Sequence, residues 1–435
     1  MSKTFQHITF PNGFQLIYEK SFVDLPITCM HVGCDIGSAY ENDNNRGVSH
    51  FIEHMCFKRT KYKSTEQISL EIERHGAEVS AFTNKRTTQL TVTCDNKSID
   101  DFIQLLSDIT LNTIFTKKDF DCEYDVVIQE ARKNKDDLET NNYIVANSLL
   151  YKGSSYEYDT DLLSYHKNRN RLSLYQLVEM YKKMYVPSRM ALSIVTPLSF
   201  ERIQKFVQKS WFVKTTRTNS GYSIPRIKYS LEQQTNIRYK LTSKKGVESN
   251  VIDMSFRICG FSSHDKYCLN LLENILGDTY SSRVYTIMRE KNGLIYHPSV
   301  SITHYEYYGD FNLSLMTKPE FVIRVLKLLA GILHDLVIRG VSEDELEVAK
   351  GRKHGRIELE KIDIERQVEN HLDEWLLNNG VVCPTSKDEY AEFYKPIQKR
   401  QMDEVIRKYI FRENICLSIM GDRLPALKTV QSIFG

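Results

Sequence analysis

The order of segments along this chain repeats at a spacing of about 220 residues, a domain-sized period that most narrows what it can fold into. HFIEHMC at 50–56 lies against NLLENIL at 270–276, and FIQLLSDI at 102–109 lies against FVIRVLKLLAGI at 321–332. The charged segment FDCEYDVVIQEARK at 120–133 matches LEVAKGRKHGRIEL at 346–359 in place and pattern. A chain of 435 residues also exceeds what one hydrophobic core usually covers. Two domains of similar plan are therefore the expectation. KTTRTNSGYSIPRIKYS, at 214–230, is polar and punctuated by Gly221 and Pro225, as a linker would be. It separates an N-terminal half, 1–213, from a C-terminal half, 231–435. Both halves mix strand-like runs (LTVTC at 90–94, DFNLSLM at 310–316) with long amphipathic helices. The expected fold class is α+β, with two homologous halves, each an antiparallel-rich sheet covered by helices.

Bulk properties exclude several function classes. A net charge of +2 gives no electrostatic argument for nucleic acid or an anionic membrane as partner. The longest apolar run, 321–338, is broken by Arg324, Lys327, His334 and Asp335, so it reads as an amphipathic helix and not a membrane span. The N-terminal stretch shows no apolar secretory core and no Arg-rich presequence. Alternation around Pro11-Asn12-Gly13 suggests a strand hairpin there instead. Nine cysteines, with no Cys-x-x-Cys pair, indicate neither a disulfide framework nor a thiolate zinc site. A cytoplasmic or other reducing compartment is expected.

The two copies differ where chemistry would sit. In GVSHFIEHMCFKRT at 47–60, a helix would stack His50 and His54 on one face with Glu53 beside them. Two imidazoles one turn apart can share a metal ion, and a neighbouring carboxylate can take a proton from water on that metal. The second copy offers Asn270, Glu273 and Asn274 at these positions, so it keeps the helix and lacks the imidazoles. A solvated surface helix could carry the same pattern. Against that, Phe51, Ile52, Met55 and Phe57 give this helix an apolar side that must pack. A third ligand is needed, and 120–133 offers Glu123 and Glu130, two turns apart on one face. Glu130 would complete the set and Glu123 would orient a ligand, although Glu is common on solvated helix faces. Cys56 is a tempting nucleophile, but a buried free cysteine packing the helix is the simpler reading.

His-x-x-Glu-His, inverted relative to the common zinc-protease helix, is the inverzincin signature. The stretch GSAYENDNNRGVSHFIEHMCFKRT resembles the pitrilysin family of zinc peptidases, particularly its mitochondrial processing peptidase branch. The resemblance continues through IERHGAEVSAFTNKRTT at 72–88, YVPSRMALSIV at 185–195 and YSSRVYTIMREKNGLIYH at 280–297. It implies one zinc per chain held by His50, His54 and Glu130, with Glu123 in support and Glu53 as general base. It implies further that extended peptide adds to a strand edge at Ser80, Ala81 and Phe82. Family members usually have Asn where this chain has Ser80, whose shorter side chain alters any hydrogen bond made there. Arg289 and Tyr296 match the family's substrate-contacting pair, which would help stabilise an oxyanion. Arg59 stands where the family usually has Gly.

The resemblance also implies a peptide or protein substrate enclosed in a chamber of four half-units. Short members reach that number by pairing. Because this chain carries both the zinc helix and the Arg/Tyr pair, a homodimer is the simpler expectation, with a heterodimer alongside a homologous subunit as the alternative. The leading function is a zinc endopeptidase. Its rivals are a catalytically silent scaffold and a partner-dependent subunit of a processing-peptidase-like complex.

Overall fold

The structure, a computed structural model, describes residues 4–160, 172–277, 279–378, 380–384 and 388–435. The first half opens with strands β1 (Phe5–Thr9), β2 (Gln15–Lys20) and β3 (Ile27–Cys34). Helices α1 (Val48–Cys56) and α2 (Thr65–His75) precede the hairpin β4 (Glu78–Thr83) and β5 (Thr88–Asp95). The helices α3 (Ile99–Leu111), α4 (Lys117–Asp136), α5 (Leu138–Leu150) and α6 (Leu174–Met184) follow among the described residues. Strand β6 (Met190–Thr196) and helix α7 (Phe200–Lys209) close this half.

The second half repeats the order. It runs β7 (Arg238–Ser243), β8 (Asn250–Cys259), α8 (Asp265–Leu276), β9 (Ser299–His304) and β10 (Tyr308–Thr317). Then come α9 (Val322–Arg339), α10 (Glu343–Glu360), α11 (Ile364–Leu377), α12 (Lys399–Tyr409) and β11 (Ile415–Gly421). The first sheet runs β1-β2-β6-β3-β5-β4 and the second β7-β11-β8-β10-β9, so the second matches the first from β2 to β4, and β1 is an added edge strand. In each, the last strand of its half inserts between two earlier strands, β6 between β2 and β3 and β11 between β7 and β8. The expected α+β class with two homologous halves is what the structure shows. The β1–β2 hairpin turns at Gly13, whose φ of +87° places it in the left-handed region, with Ser188 too close to admit a Cβ.

The compact units do not follow the linker at 214–230. One comprises residues 1–132, 158–228 and 359–387, and the other 133–157, 229–358 and 388–435. Each unit takes a helix from the opposite half of the sequence, because a mixed sheet has two faces to cover. In the first unit, Phe51, Phe102, Leu106 and Met180 fill the core on one face of the sheet. On the other face α11 lays Leu372 and Trp375 against Ile17 and Ala191, and Val368 against Cys29 and Val195. In the second unit, α5 packs in the same way on β8 and β11.

The polar groups under these exchanged helices match position by position. His31 on β3 stands opposite Ser193 on β6, and Gly33, two residues on, stands opposite Gln89. Asp253 on β8 stands opposite Ser418 on β11, and Ser255, two residues on, stands opposite Asn312. His371 of α11 and Asn142 of α5 reach Ser193 and Ser418 respectively. The duplication therefore extends to buried polar register, beyond the order of elements.

Candidate metal centre

Helix α1 begins where Gly47 adopts φ +79°, and its first amides are received by a side chain six residues upstream. Glu41 Oε2 accepts from Gly47 N at 2.6 Å, and Oε1 accepts from Ser49 N at 2.9 Å. A carboxylate there satisfies exposed amides and suits the positive end of the helix dipole. Burial nevertheless raises the Glu41 pKa to about 7. Val48, Phe51, Ile52, Met55 and Cys56 point into the core, which turns His50 and His54 outward together. Cys56 is fully buried, as a packing residue should be.

Phe51 fixes α1 against α4 through Phe120 and Tyr124, with ring centroids 5.0 and 5.9 Å away. That contact carries Glu123 and Glu130 to the two imidazoles. His50 Nε2 and His54 Nε2 lie 3.2 Å apart, and Glu130 Oε2 is 3.3 Å from His54 Nε2 and 3.8 Å from His50 Nε2. Among the described residues these three form the one group placed to hold a metal ion, their ligand atoms all within 4.8 Å of one another. His54 Nδ1 lies 2.9 Å from Glu123 Oε1. A carboxylate only accepts, so Nδ1 carries the proton and a neutral His54 aims the Nε2 lone pair at the shared position.

Electrostatics follow from burial and neighbours. Burial lowers the His50 pKa to about 4, with His54 adding to the effect. Burial also opposes charge on His54, but Glu123, Glu53 and Glu130 outweigh it and raise the pKa. Glu53 is raised by burial, with Thr83 pulling the other way. Burial pushes Glu123 upward, yet hydrogen bonds from His54 and Lys58 leave it below the ordinary carboxylate value.

Among the described residues strand β4 is the sheet edge, paired only with β5. It carries Ser80 exposed, with Ala81 and Phe82 half-buried. Arg59 pairs with Asp119 through Nε at 3.2 Å and touches none of the candidate ligands. Arg289 and Tyr296 belong to the second unit, where the guanidinium lies 5.2 Å from the ring centroid and Tyr296 is 78% exposed. At the matching place on α8, Asn270 Nδ2 donates to Tyr394 OH and Arg352 Nε donates to Asn274 Oδ1 at 2.8 Å. An arginine guanidinium thus meets the residue that corresponds to His54. Spacing alone did not single out Glu41, Lys58 or Thr83. A capping carboxylate, a counter-charge and a strand-end hydroxyl have no periodic signature.

Two family models match this sequence: Insulinase (Peptidase family M16) over residues 27–152, and Peptidase M16 inactive domain over residues 171–352. The chain belongs to peptidase family M16. Together the two M16 matches span most of its length. Uncharacterized zinc protease YmxG of Bacillus subtilis is 26% identical over 356 residues, covering 81% of this chain and 83% of that one. Mitochondrial-processing peptidase subunit beta of Caenorhabditis elegans is 32% identical over 150 residues, 34% of this chain and 32% of that one. The M16 fold is also that of a protease from Helicobacter pylori, whose crystal structure superposes with a TM-score of 0.88 at 16% identity, covering 97% of this chain and all of that one. No described helix of this M16 chain is long and apolar enough to cross a membrane.

Proposed function

We propose that this M16 chain is a zinc-dependent endopeptidase acting on extended peptides. The convergence of His50, His54 and Glu130, with Glu123 orienting His54, carries the reading. Nitrogen and oxygen ligands at 2.0–2.1 Å from a tetrahedral zinc stand about 3.3 Å apart. Separations of 3.2 and 3.3 Å match that spacing, and the third, 3.8 Å between His50 and Glu130, is longer. The donor set of two imidazoles and a carboxylate is that of a site with one position open. A bound zinc would supply Lewis acidity, acidifying a coordinated water and polarising the scissile carbonyl. Glu53 is the general base, receiving the water's proton and passing it toward the leaving amine.

The peptide adds to the free edge of β4 at Ser80, Ala81 and Phe82, a mode that reads backbone more than side chain. Arg289 and Tyr296 contact the substrate and favour developing negative charge. A homodimer encloses the peptide in this reading, and a heterodimer with a homologous subunit is the alternative assembly. A silent scaffold is disfavoured because His50, Glu53, His54 and Glu130 are all present.

The test compares the natural chain with Glu53→Gln, measuring zinc per chain and cleavage of a mixed peptide library by mass spectrometry. Both should bind about one zinc, and only the natural chain should cut, with a chelator abolishing the cutting. Zinc binding without cleavage by either form would favour the scaffold or partner-dependent reading. Absence of zinc binding would remove the proposal.

A further inference from the structure

Thr83 Oγ1 donates to Glu53 Oε2 at 2.6 Å, joining the edge strand β4 to helix α1. Three observations make this contact more than incidental.

Thr83 is the last residue of β4 and stands opposite Thr88, where the hairpin turns. That turn is clamped. Asn84 N donates to Thr87 O, Asn84 Oδ1 accepts from the Arg86 and Thr87 amides, and Ser38 N and Ala39 N donate to Asn84 O and Lys85 O. A Cβ on Gly37 would lie 2.4 Å from Asn84 O, so only glycine lets the two segments approach this closely. Thr83 is therefore held at the fixed end of its strand.

The hydroxyl has one proton and two neighbours. Thr88 Oγ1 lies 3.1 Å away and itself donates to Ile36 O at 3.0 Å. The bond to Glu53 is shorter and goes to a carboxylate, so it is the stronger acceptor.

Glu53 Oε2 is thereby pinned, while Oε1 accepts no hydrogen bond from the described residues. A glutamate turns about three side-chain bonds, and one anchored oxygen removes most of that freedom. The strand that fixes the base is also the strand with the unpaired edge.

We infer that Thr83 is a positioning residue, which holds the general base at a set offset from a peptide docked along β4. This rests on the endopeptidase reading above. Docking register and base placement then belong to one rigid element, and reacting groups held in alignment gain most of their advantage from such rigidity.

The experiment uses the full chain with Thr83→Val, which keeps the shape and removes the donor, and Thr83→Ser, which keeps the hydroxyl. Zinc per chain should match the natural chain in both. For Thr83→Val, KM should stay within about twofold while kcat falls roughly 10- to 100-fold. Thr83→Ser should keep at least about half of kcat. An unchanged kcat in Thr83→Val, or an equal loss in Thr83→Ser, overturns the inference. A double-mutant cycle on thermal unfolding, combining Thr83→Val with Glu53→Gln, tests the bond without reference to activity. Coupled midpoint shifts support it, and additive shifts overturn it. Failure of the natural chain to cut any peptide would instead remove the endopeptidase reading, and the cycle would still decide whether Thr83 holds Glu53.

Discussion

His371 Nε2 donates to Glu19 Oε2 at 3.0 Å across 352 residues of sequence, and both side chains are 2% exposed. The other ring nitrogen lies 3.2 Å from Ser193 Oγ. This buried chain fastens α11, from the C-terminal half, to strands β2 and β6 of the N-terminal half. His371→Ala removes the imidazole from a carboxylate that water cannot reach. A loss of about 2–4 kcal/mol in unfolding free energy is expected, from the hydrogen bond to a charged group together with the space vacated. Urea unfolding of the full chain would measure it. A loss below about 0.5 kcal/mol, the range of an ordinary surface change, would mean that apolar contacts alone hold the helix.

In the second unit the counterpart of His31 is an acid, Asp253. Asp253 is buried and accepts from Asn142 Nδ2 at 2.6 Å and Asn312 Nδ2 at 3.3 Å. Burial raises its pKa to about 6 from 3.8, with those hydrogen bonds opposing the shift. The native carboxyl thus holds its proton more tightly than the unfolded one. Between pH 4 and 6 the unfolded state binds fewer protons, so this group's contribution to stability falls as pH rises and is fully lost above about 6. A shift of that size corresponds to about 3 kcal/mol. Unfolding free energies from pH 4 to 7 should decline less steeply in Asp253→Asn than in the natural chain. Parallel curves would show that Asp253 is already ionised throughout.

What the sequence made legible, and what it hid, separates by physical scale. The duplication, the two-half α+β plan and the stacking of His50 on His54 all follow from periodicity, which reads apolar faces over many residues. The discontinuous units could not be read that way. Nothing in the pattern of 364–377 says which sheet its apolar face will cover, and α11 lies on the first. The same holds for α5. Within the site, Glu123 and Glu130 follow from helical spacing plus resemblance. Glu41, Lys58 and Thr83 act through local contacts that no period along the chain marks.

Thiol access offers an independent check on the packing around α1. Cys29, Cys34, Cys56, Cys94, Cys259, Cys268 and Cys416 are buried, Cys383 is intermediate and Cys122 is exposed. A native-state thiol titration should show Cys122 reacting first, with Cys122→Ser abolishing that phase and Cys56 reacting only on unfolding. Rapid modification of Cys56 would mean that α1 is not packed as described.

Glu123 is held on both sides, by His54 Nδ1 at one oxygen and by Lys58 Nζ at the other. The lysine sits four residues past His54 and two beyond the end of α1, so the turn that follows the ligand helix presents the counter-charge for the carboxylate that orients the ligand. With the ammonium removed, Glu123 keeps its charge in a buried place but loses one of the contacts fixing its plane. His54 then loses part of its orientation. Outer partners of this kind typically change metal affinity 10- to 100-fold. Lys58→Met is expected to weaken zinc binding by about that factor, and Lys58→Arg to weaken it less, since a guanidinium can still pair with the carboxylate. Competition with a fluorescent chelator reads the affinity directly, without recourse to cleavage. If Lys58→Met binds zinc as tightly as the natural chain, the hydrogen bond from His54 alone is sufficient to hold Glu123, and Lys58 is a surface cation that happens to lie near it.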